Sequence, residues 1–399
     1  MVVHSHSASH PSHDYVVPAW VSELHWTNRA RWDKAVSFLK QLTKEDRVAV
    51  IYDDDGDGMS AAASVVVGVE HLTGHRPFWV TPFEHSPNYI DDLLPQKLQA
   101  EGVTKIITVD KTVDQKSIEF MHALEKVAPV LVIDHHKVYR DYDSPRFTMV
   151  KPQLVWETEP SSCPTAIFAY TLFSCVVDLS DRDWVPCIGI VSDSSYPRWK
   201  HFVDASGKKW GLSPVENDDP FASPFGTLSG MIYCTQILSS YQMPELLELL
   251  VDAHHPQVVL DSGFRALVNV VDDEVNEWME KLRTSIQLFP ELELAIAVVK
   301  PRHAIKSLLI NKLSREKYSN WNLIMLQEVA NGSRVTLSAR RQDFKVPMNE
   351  MLEFAVKGLP ESNAGGHIPA AGGLIRKEDE EKFIENVKLF LRAHYRKKE

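Results

Sequence analysis

The sequence predicts an α/β protein with an N-terminal parallel-sheet domain, a long connecting helix and a smaller C-terminal α/β domain, with a cleft between the two domains. Three observations carry this. Apolar, β-branched runs recur at 47–52, 78–82, 105–109 and 130–133. Helical apolar spacing fills the intervals, at 58–72, 90–101 and 114–126. Fully apolar strands alternating with helices belong to a parallel sheet covered on both faces. A second set of strand-like runs, at 293–299, 321–328 and 334–339, follows an amphipathic stretch at 258–288.

Taken in order, residues 1–27 read as a disordered or extended tail, with His4, His6, His10 and His13 in a Ser-rich context. The tail has no basic stretch followed by an apolar one, which argues against a secretory signal. The first domain is expected over 28–255. Its first helix shows an apolar face of Trp32, Ala35, Phe38 and Leu39. Thr165–Val176 reads as a further helix, and Trp184–Val191 as an apolar run leading to Asp193. Residues 194–226, rich in Gly, Pro, Asp and Ser, read as a long loop. Within it Tyr196, Trp199, Phe202 and Trp210 interleave with Arg198, Lys200, Lys208 and Lys209. That mixture suits either base stacking along a single strand or a partly buried excursion. The connecting helix is expected over 256–291 and the second domain over 292–399, with helices near 304–316, 347–357 and 379–394.

Composition bounds the function. The 399 residues are 44% hydrophobic and 24% charged, the balance of a globular chain of two or three domains. No apolar run approaches the ~20 residues that span a bilayer, so no membrane partner is expected. The four cysteines have no CxxC spacing, against a zinc ribbon or disulfide scaffold, and a cytoplasmic location follows as the expectation. Net charge is −11 but uneven. Residues 300–399 hold 19 basic and 12 acidic side chains, and residues 1–299 hold 24 and 42. An anion-binding C-terminal module beside a metal-binding N-terminal one fits that division.

The chemistry-bearing residues sit where strands end, the place for functional groups in open parallel sheets. Asp53-Asp54-Asp55-Gly56-Asp57-Gly58 follows the first strand. So many adjacent carboxylates repel one another unless a cation or protons offset them. A solvated acidic turn is the plain alternative; a calcium EF-hand is excluded, since no Glu stands six residues after either glycine. Asp110 ends the third strand, and Asp134-His135-His136 ends the fourth. Carboxylate and imidazole together suit Mn²⁺ better than Ca²⁺. Asp193 closes its apolar run, whether strand or helix. A second run, Asp252-Ala253-His254-His255, precedes Pro256 and reads as a helix end.

In this order the segments resemble motifs I to IV of the DHH phosphoesterase superfamily: Asp53-x-Asp55-x-Asp57-Gly58, Val109-Asp110, Asp134-His135-His136 and Asp193. Asn363-Ala364-Gly365-Gly366-His367-Ile368-Pro369-Ala370-Ala371-Gly372 is similar to the GGH-x-x-AAG signature of the DHH-associated C-terminal domain. Val335–Arg340 resembles that domain's substrate-contacting strand. The resemblance covers about 46–377 and points to the RecJ branch. It implies two Mn²⁺ ions, with Mg²⁺ as the alternative. Asp55 and Asp53 would bind one ion. Asp57, His135 or His136, and Asp193 would bind the other, and Asp110 would bridge them. Asp134 would fix an imidazole tautomer. Arg340, Gly365, Gly366 and His367 would hold the substrate, while Arg341 and Arg376 read as surface charges. The implied function is a Mn-dependent phosphodiesterase acting on single-stranded or short oligonucleotides from an end. Alternatives are a nanoRNase or 3′-phosphoadenosine 5′-phosphate phosphatase, and an inactive scaffold relative, which would need missing ligands where none is missing.

Overall fold

The computed structural model describes residues 21, 25–82, 90–329, 332–366 and 368–396. It divides into two compact units, Met1–Val268 and Asn269–Glu399. The histidine-rich start of the chain and His367 lie outside the described residues.

The first unit runs α1 (Arg29–Lys40), β1 (Val48–Tyr52), α2 (Gly56–Thr73), β2 (Trp79–Pro82), α3 (Leu94–Ala100), β3 (Lys105–Val109), α4 (Ile118–Val127) and β4 (Val130–Ile133). It continues with β5 (Phe147–Val150), α5 (Pro152–Val155), α6 (Thr165–Ser174), α7 (Val185–Ser192), α8 (Tyr196–Lys209), α9 (Pro224–Leu238), α10 (Met243–Asp252) and α11 (Pro256–Leu260). The five strands are all parallel, in the order β2-β1-β3-β4-β5. The connection from β1 leads to β2 on one side, and the next returns across β1 to β3. Such a reversal opens a crevice at the carboxyl ends of the strands. Helix α2 is buried along most of its length because Gly56, Gly58, Ser60, Ala61, Ala62 and Ala63 are small enough to sink it among its neighbours. A Cβ on Gly68 would lie 2.1 Å from the Phe173 ring, so glycine sets the approach of α2 to α6.

The structure corrects several expectations. Strand β5 has no counterpart in the sequence pattern, because Thr148 interrupts its four residues and leaves too short an apolar run to separate from a loop. The supposed loop at 194–226 holds α8, its pattern obscured by Pro197 and by a non-helical residue, Trp199, at φ −108°. The aromatics of this segment turn inward: Tyr196 is buried, Trp199 Nε1 donates to the Ser162 carbonyl, and Trp210 Nε1 donates to Asp183. The stretch 258–288 is also not one helix. Asp261-Ser262-Gly263-Phe264 separates α11 from α12 (Arg265–Ser285), with Ser and Gly breaking the helical run. Trp26, placed in the tail by sequence, bridges to Trp156 and stacks edge-on against Trp32.

The second unit adds β6 (Gln287–Phe289), β7 (Leu294–Val299), α13 (Lys306–Glu316), β8 (Asn322–Glu328), β9 (Arg334–Arg340), α14 (Met348–Val356), β10 (Asn363–Gly366), β11 (Ala370–Arg376) and α15 (Glu380–Arg396). Its sheet order is β10-β11-β9-β8-β7-β6, with only β7 and β8 parallel. Met351, Leu352, Phe383 and Leu391 of α14 and α15 pack on Ile296, Ile324, Leu337 and Ile375 of the sheet. Arg341 is no surface charge. It is fully buried, and Asp343, Glu293, Asn322 and the Tyr395 hydroxyl accept its N–H groups. Arg376 pairs with Glu378 and Asp379 at the surface end of β11.

Candidate metal centre

Three adjacent strands deliver the acidic segments, and one backbone pattern fixes all three. The N–H of Asp53 donates to Val109 O at 3.2 Å, that of Asp110 to Ile133 O at 2.9 Å, and that of Asp134 to Val150 O at 3.2 Å. Each aspartate thus continues its strand's ladder by one bond before the chain leaves the sheet.

Asp55 caps α2, accepting the N–H groups of Asp57 and Gly58 at 3.0 and 2.9 Å. The turn is tight: a Cβ on Gly58 would lie 2.1 Å from the Asp53 carbonyl oxygen. Asp57, in the first turn, is buried. Its carboxylate accepts Thr165 N–H at 2.7 Å and Ala166 N–H at 2.9 Å, from the first turn of α6. The positive ends of two helices therefore face this acidic loop. Asp110 sits in the left-handed region, at φ 59°, which Asp tolerates better than most residues. Its Oδ1 accepts the Thr165 hydroxyl at 2.7 Å. Asp193 stands at the carboxyl end of helix α7, not of a strand.

Asp134 accepts both the backbone N–H of His136, at 3.1 Å, and its Nδ1–H, at 2.7 Å. His135 turns Nε2 to Asp193 at 3.3 Å and to Asp57 and Asp110 at 3.7 Å. The two imidazoles meet edge-on at 4.7 Å. Three groups of donor atoms lie within 4.8 Å of one another: Asp53 with Asp55 and Asp110; Asp57 with His135 and Asp193; Asp110 with His135 and His136. The structure so brings together Asp53, Asp55, Asp57, Asp110, His135, His136 and Asp193.

The electrostatics are those of a cluster short of positive charge. Burial, then the neighbouring carboxylates, pushes Asp57 and Asp110 far above the ordinary carboxylate range. Burial and Asp55 raise Asp193 to about 7, and burial and Asp55 raise Asp53 to about 6 against the pull of Lys111. His135 is pushed down to about 4 by burial and by His136. His136 goes the other way, up to about 10, because its bond to Asp134 and the surrounding carboxylates outweigh burial. Asp134 is held low despite its burial by Lys151 and His136. Converging carboxylates with raised proton affinity, beside a buried imidazole, match the donor set of a divalent-metal site.

Sequence reasoning missed three residues. Lys111 Nζ lies 3.0 Å from Asp53 Oδ1. Lys151, after β5, is fully buried, with Nζ 2.9 Å from Asp114 and 2.7 Å from Asp134. Thr165 bonds two aspartates, one through its backbone and one through its hydroxyl. Their partners are 58, 37 and 108 residues away, and only strand order or a missing lysine partner could have hinted at them. The second Asp-x-His-His run lies elsewhere: Asp252 ends α10 and pairs with Arg76, and His255 caps α11.

In the second unit Arg340 ends β9, opposite Ala370 of β11. Its Nε donates to Asn311 Oδ1 at 2.8 Å, and it forms no ion pair among the described residues. Lys306 Nζ donates to Thr336 Oγ1 at 2.8 Å, and burial and Arg340 together lower Lys306 to about 8. Gly365 and Gly366 lie in β10. A Cβ on Gly365 would meet nothing within 4 Å, whereas Gly366, at φ 138°, has a conformation reserved for glycine.

No protein-family model matches the sequence, and a comparison with curated proteins returns no match. Solved structures do match in fold. RecJ from Thermus thermophilus, in complex with Mn²⁺, aligns over 91% of this chain at 18% identity with a TM-score of 0.66. This chain spans 55% of that one's length. A second RecJ exonuclease, bound to manganese, aligns over 90% of this chain and 94% of its own at 18% identity and a TM-score of 0.64. The DHH domain of a protein described as a member of a ribosomal-protein family aligns over 91% of this chain and 90% of its own, at 15% identity and a TM-score of 0.68. The chain shares the fold of these RecJ proteins and of this DHH domain.

Proposed function

We propose that the protein is a metal-dependent phosphodiesterase that hydrolyses single-stranded or short oligonucleotides from an end, by analogy with the RecJ exonuclease whose fold it shares. The observation that carries the reading is the convergence of five aspartates and two histidines from separate segments into three overlapping donor groups. Asp53, Asp55, Asp57, Asp110, Asp193 and the two histidines would hold two Mn²⁺ ions, with Mg²⁺ as the alternative. Bound there, the ions supply acidified water and charge neutralisation at the phosphoryl oxygens. The chain's own groups do the rest. Thr165 orients Asp57 and Asp110, and Asp134 fixes the ring of His136 with a proton at Nδ1. With its Nδ1–H engaged by Asp134, His136 has only Nε2 left to offer a metal or a substrate oxygen. Arg340, Gly365, Gly366 and His367 are assigned to substrate capture on the second unit.

One observation favours the short-substrate alternative, a nanoRNase or 3′-phosphoadenosine 5′-phosphate phosphatase. The aromatics at 196–210, the candidate stacking platform for a longer strand, are engaged with the core. The test is incubation with Mn²⁺ and labelled DNA and RNA strands of about two, five and thirty nucleotides, beside an Asp110→Asn control. Mononucleotides released from the longest strand support the exonuclease reading, and cleavage confined to the shortest supports the alternative. No activity on any strand, or equal activity in the control, sinks the exonuclease and the nanoRNase readings.

A further inference from the structure

Lys111 follows Asp110 directly, and its side chain is almost wholly buried. Its ammonium lies 3.0 Å from Asp53 Oδ1, an oxygen that also accepts the Asp54 N–H at 3.1 Å. Asp53 belongs to one of the carboxylate groups described above, with Asp55 and Asp110. That group therefore contains a cation of the protein's own. The group of Asp57, His135 and Asp193 holds no lysine or arginine: among the described residues these three meet backbone N–H groups, one another and Asp110.

The difference matters for a divalent ion. An ammonium is a compact point charge, and like charges a few ångströms apart in a buried site repel strongly. An ion entering the Asp53 group meets that repulsion and a carboxylate with one oxygen already doubly engaged. An ion entering the Asp57 group meets two carboxylates and an imidazole with no ammonium beside them. We infer that the two groups load unequally, Asp57–His135–Asp193 first and Asp53–Asp55–Asp110 second, because Lys111 competes for Asp53. Lys111 is a positioning residue that sets the order of metal loading. The inference rests on the metal-dependent reading and deepens it.

The test measures occupancy, not turnover. Metal-free full-length protein is loaded with increasing Mn²⁺, and unbound Mn²⁺ is counted by its electron paramagnetic resonance signal. Wild type should show two steps, with dissociation constants separated by at least about tenfold, the scale on which outer-shell partners act. Lys111→Met should tighten the weaker step by a similar factor and leave the tighter one within about twofold. Lys111→Arg keeps a positive charge on Asp53 and should retain two separated steps. Two equal sites in wild type, or a Lys111→Met curve that superimposes on wild type, overturns the inference while leaving the metal-dependent reading intact. No Mn²⁺ bound by wild type overturns both. The wild-type curve decides the first point even where the Met variant folds poorly.

Discussion

Lys151 Nζ lies 2.7 Å from Asp134 Oδ2, with both side chains wholly out of solvent. The same ammonium donates to Asp114 Oδ1 at 2.9 Å and to the carbonyls of His136 and Lys137. One cation thus holds two buried carboxylates and the backbone that carries both histidines. Removing it takes the lysine from both acids and leaves Asp134 only its His136 bonds and Asp114 only its backbone ones. Lys151→Met should destabilise the protein by about 3–5 kcal/mol, the usual cost of breaking a buried pair. Urea unfolding checks this. Replacing Asp114 by Asn in the same chain should return part of the loss.

Thr165 acts on the candidate centre without belonging to any donor group. Thr165→Val keeps the backbone N–H that Asp57 accepts and removes only the hydroxyl on Asp110. Mn²⁺ affinity should fall by about 10- to 100-fold, the range for outer-shell partners of metal ligands. The folded stability of the metal-free protein should change little. Calorimetric Mn²⁺ binding, read beside thermal unfolding, separates the two effects.

Asp110 offers the opposite split. Its carboxyl is raised by burial and by its acidic neighbours. A raised acid means that the folded state binds more protons than the unfolded one above the unfolded value, so stability falls as pH rises. Asp110→Asn removes that penalty and suits the left-handed backbone at φ 59°. The metal-free variant should melt no lower than wild type at pH 8, and the difference should shrink toward pH 4. Added Mn²⁺ should raise the wild-type melting temperature more than the variant's.

Lys306 supplies a pH signature in the second unit. Burial and the adjacent Arg340 lower it from 10.5 to about 8. Between those values the unfolded chain binds the extra proton, so stability should rise with pH across that window and be flat below it. Lys306→Met should abolish the rise. Phosphate bound beside the two cations would hold Lys306 charged and abolish it too. Urea midpoints at several pH values, with and without phosphate, give the answer.

Much of the candidate centre was legible because a strand's end is marked by its own apolar run. Val48–Tyr52 and Lys105–Val109 announce where Asp53 and Asp110 must stand. The groups that hold those acids in place leave no such mark. Lys151 follows a strand of four residues, and Thr165 opens a helix on which every residue is buried, so the polar exception has no contrasting face to stand out from. Helix α8 was hidden for a different reason: a proline in its first turn and a kink at Trp199 break the periodicity that betrays a helix. Arg341 could not be told from a surface arginine because its partners, Glu293, Asn322 and Tyr395, come from three other segments.

The backbone bonds that join Asp53, Asp110 and Asp134 to the neighbouring strands also limit how this gene can change length. Tyr52 stands opposite Val109, and Val109 opposite Ile133. Each strand residue advances the chain by about 3.3 Å and reverses the side chain's face. Deleting a single codon within β3 would withdraw Asp110 by that distance and aim its carboxylate through the sheet, away from its partners. Codons gained or lost in the 137–146 connection leave those three ends where they are. A length change that spares these aspartates therefore has to fall in a connection, and not inside a strand that delivers one.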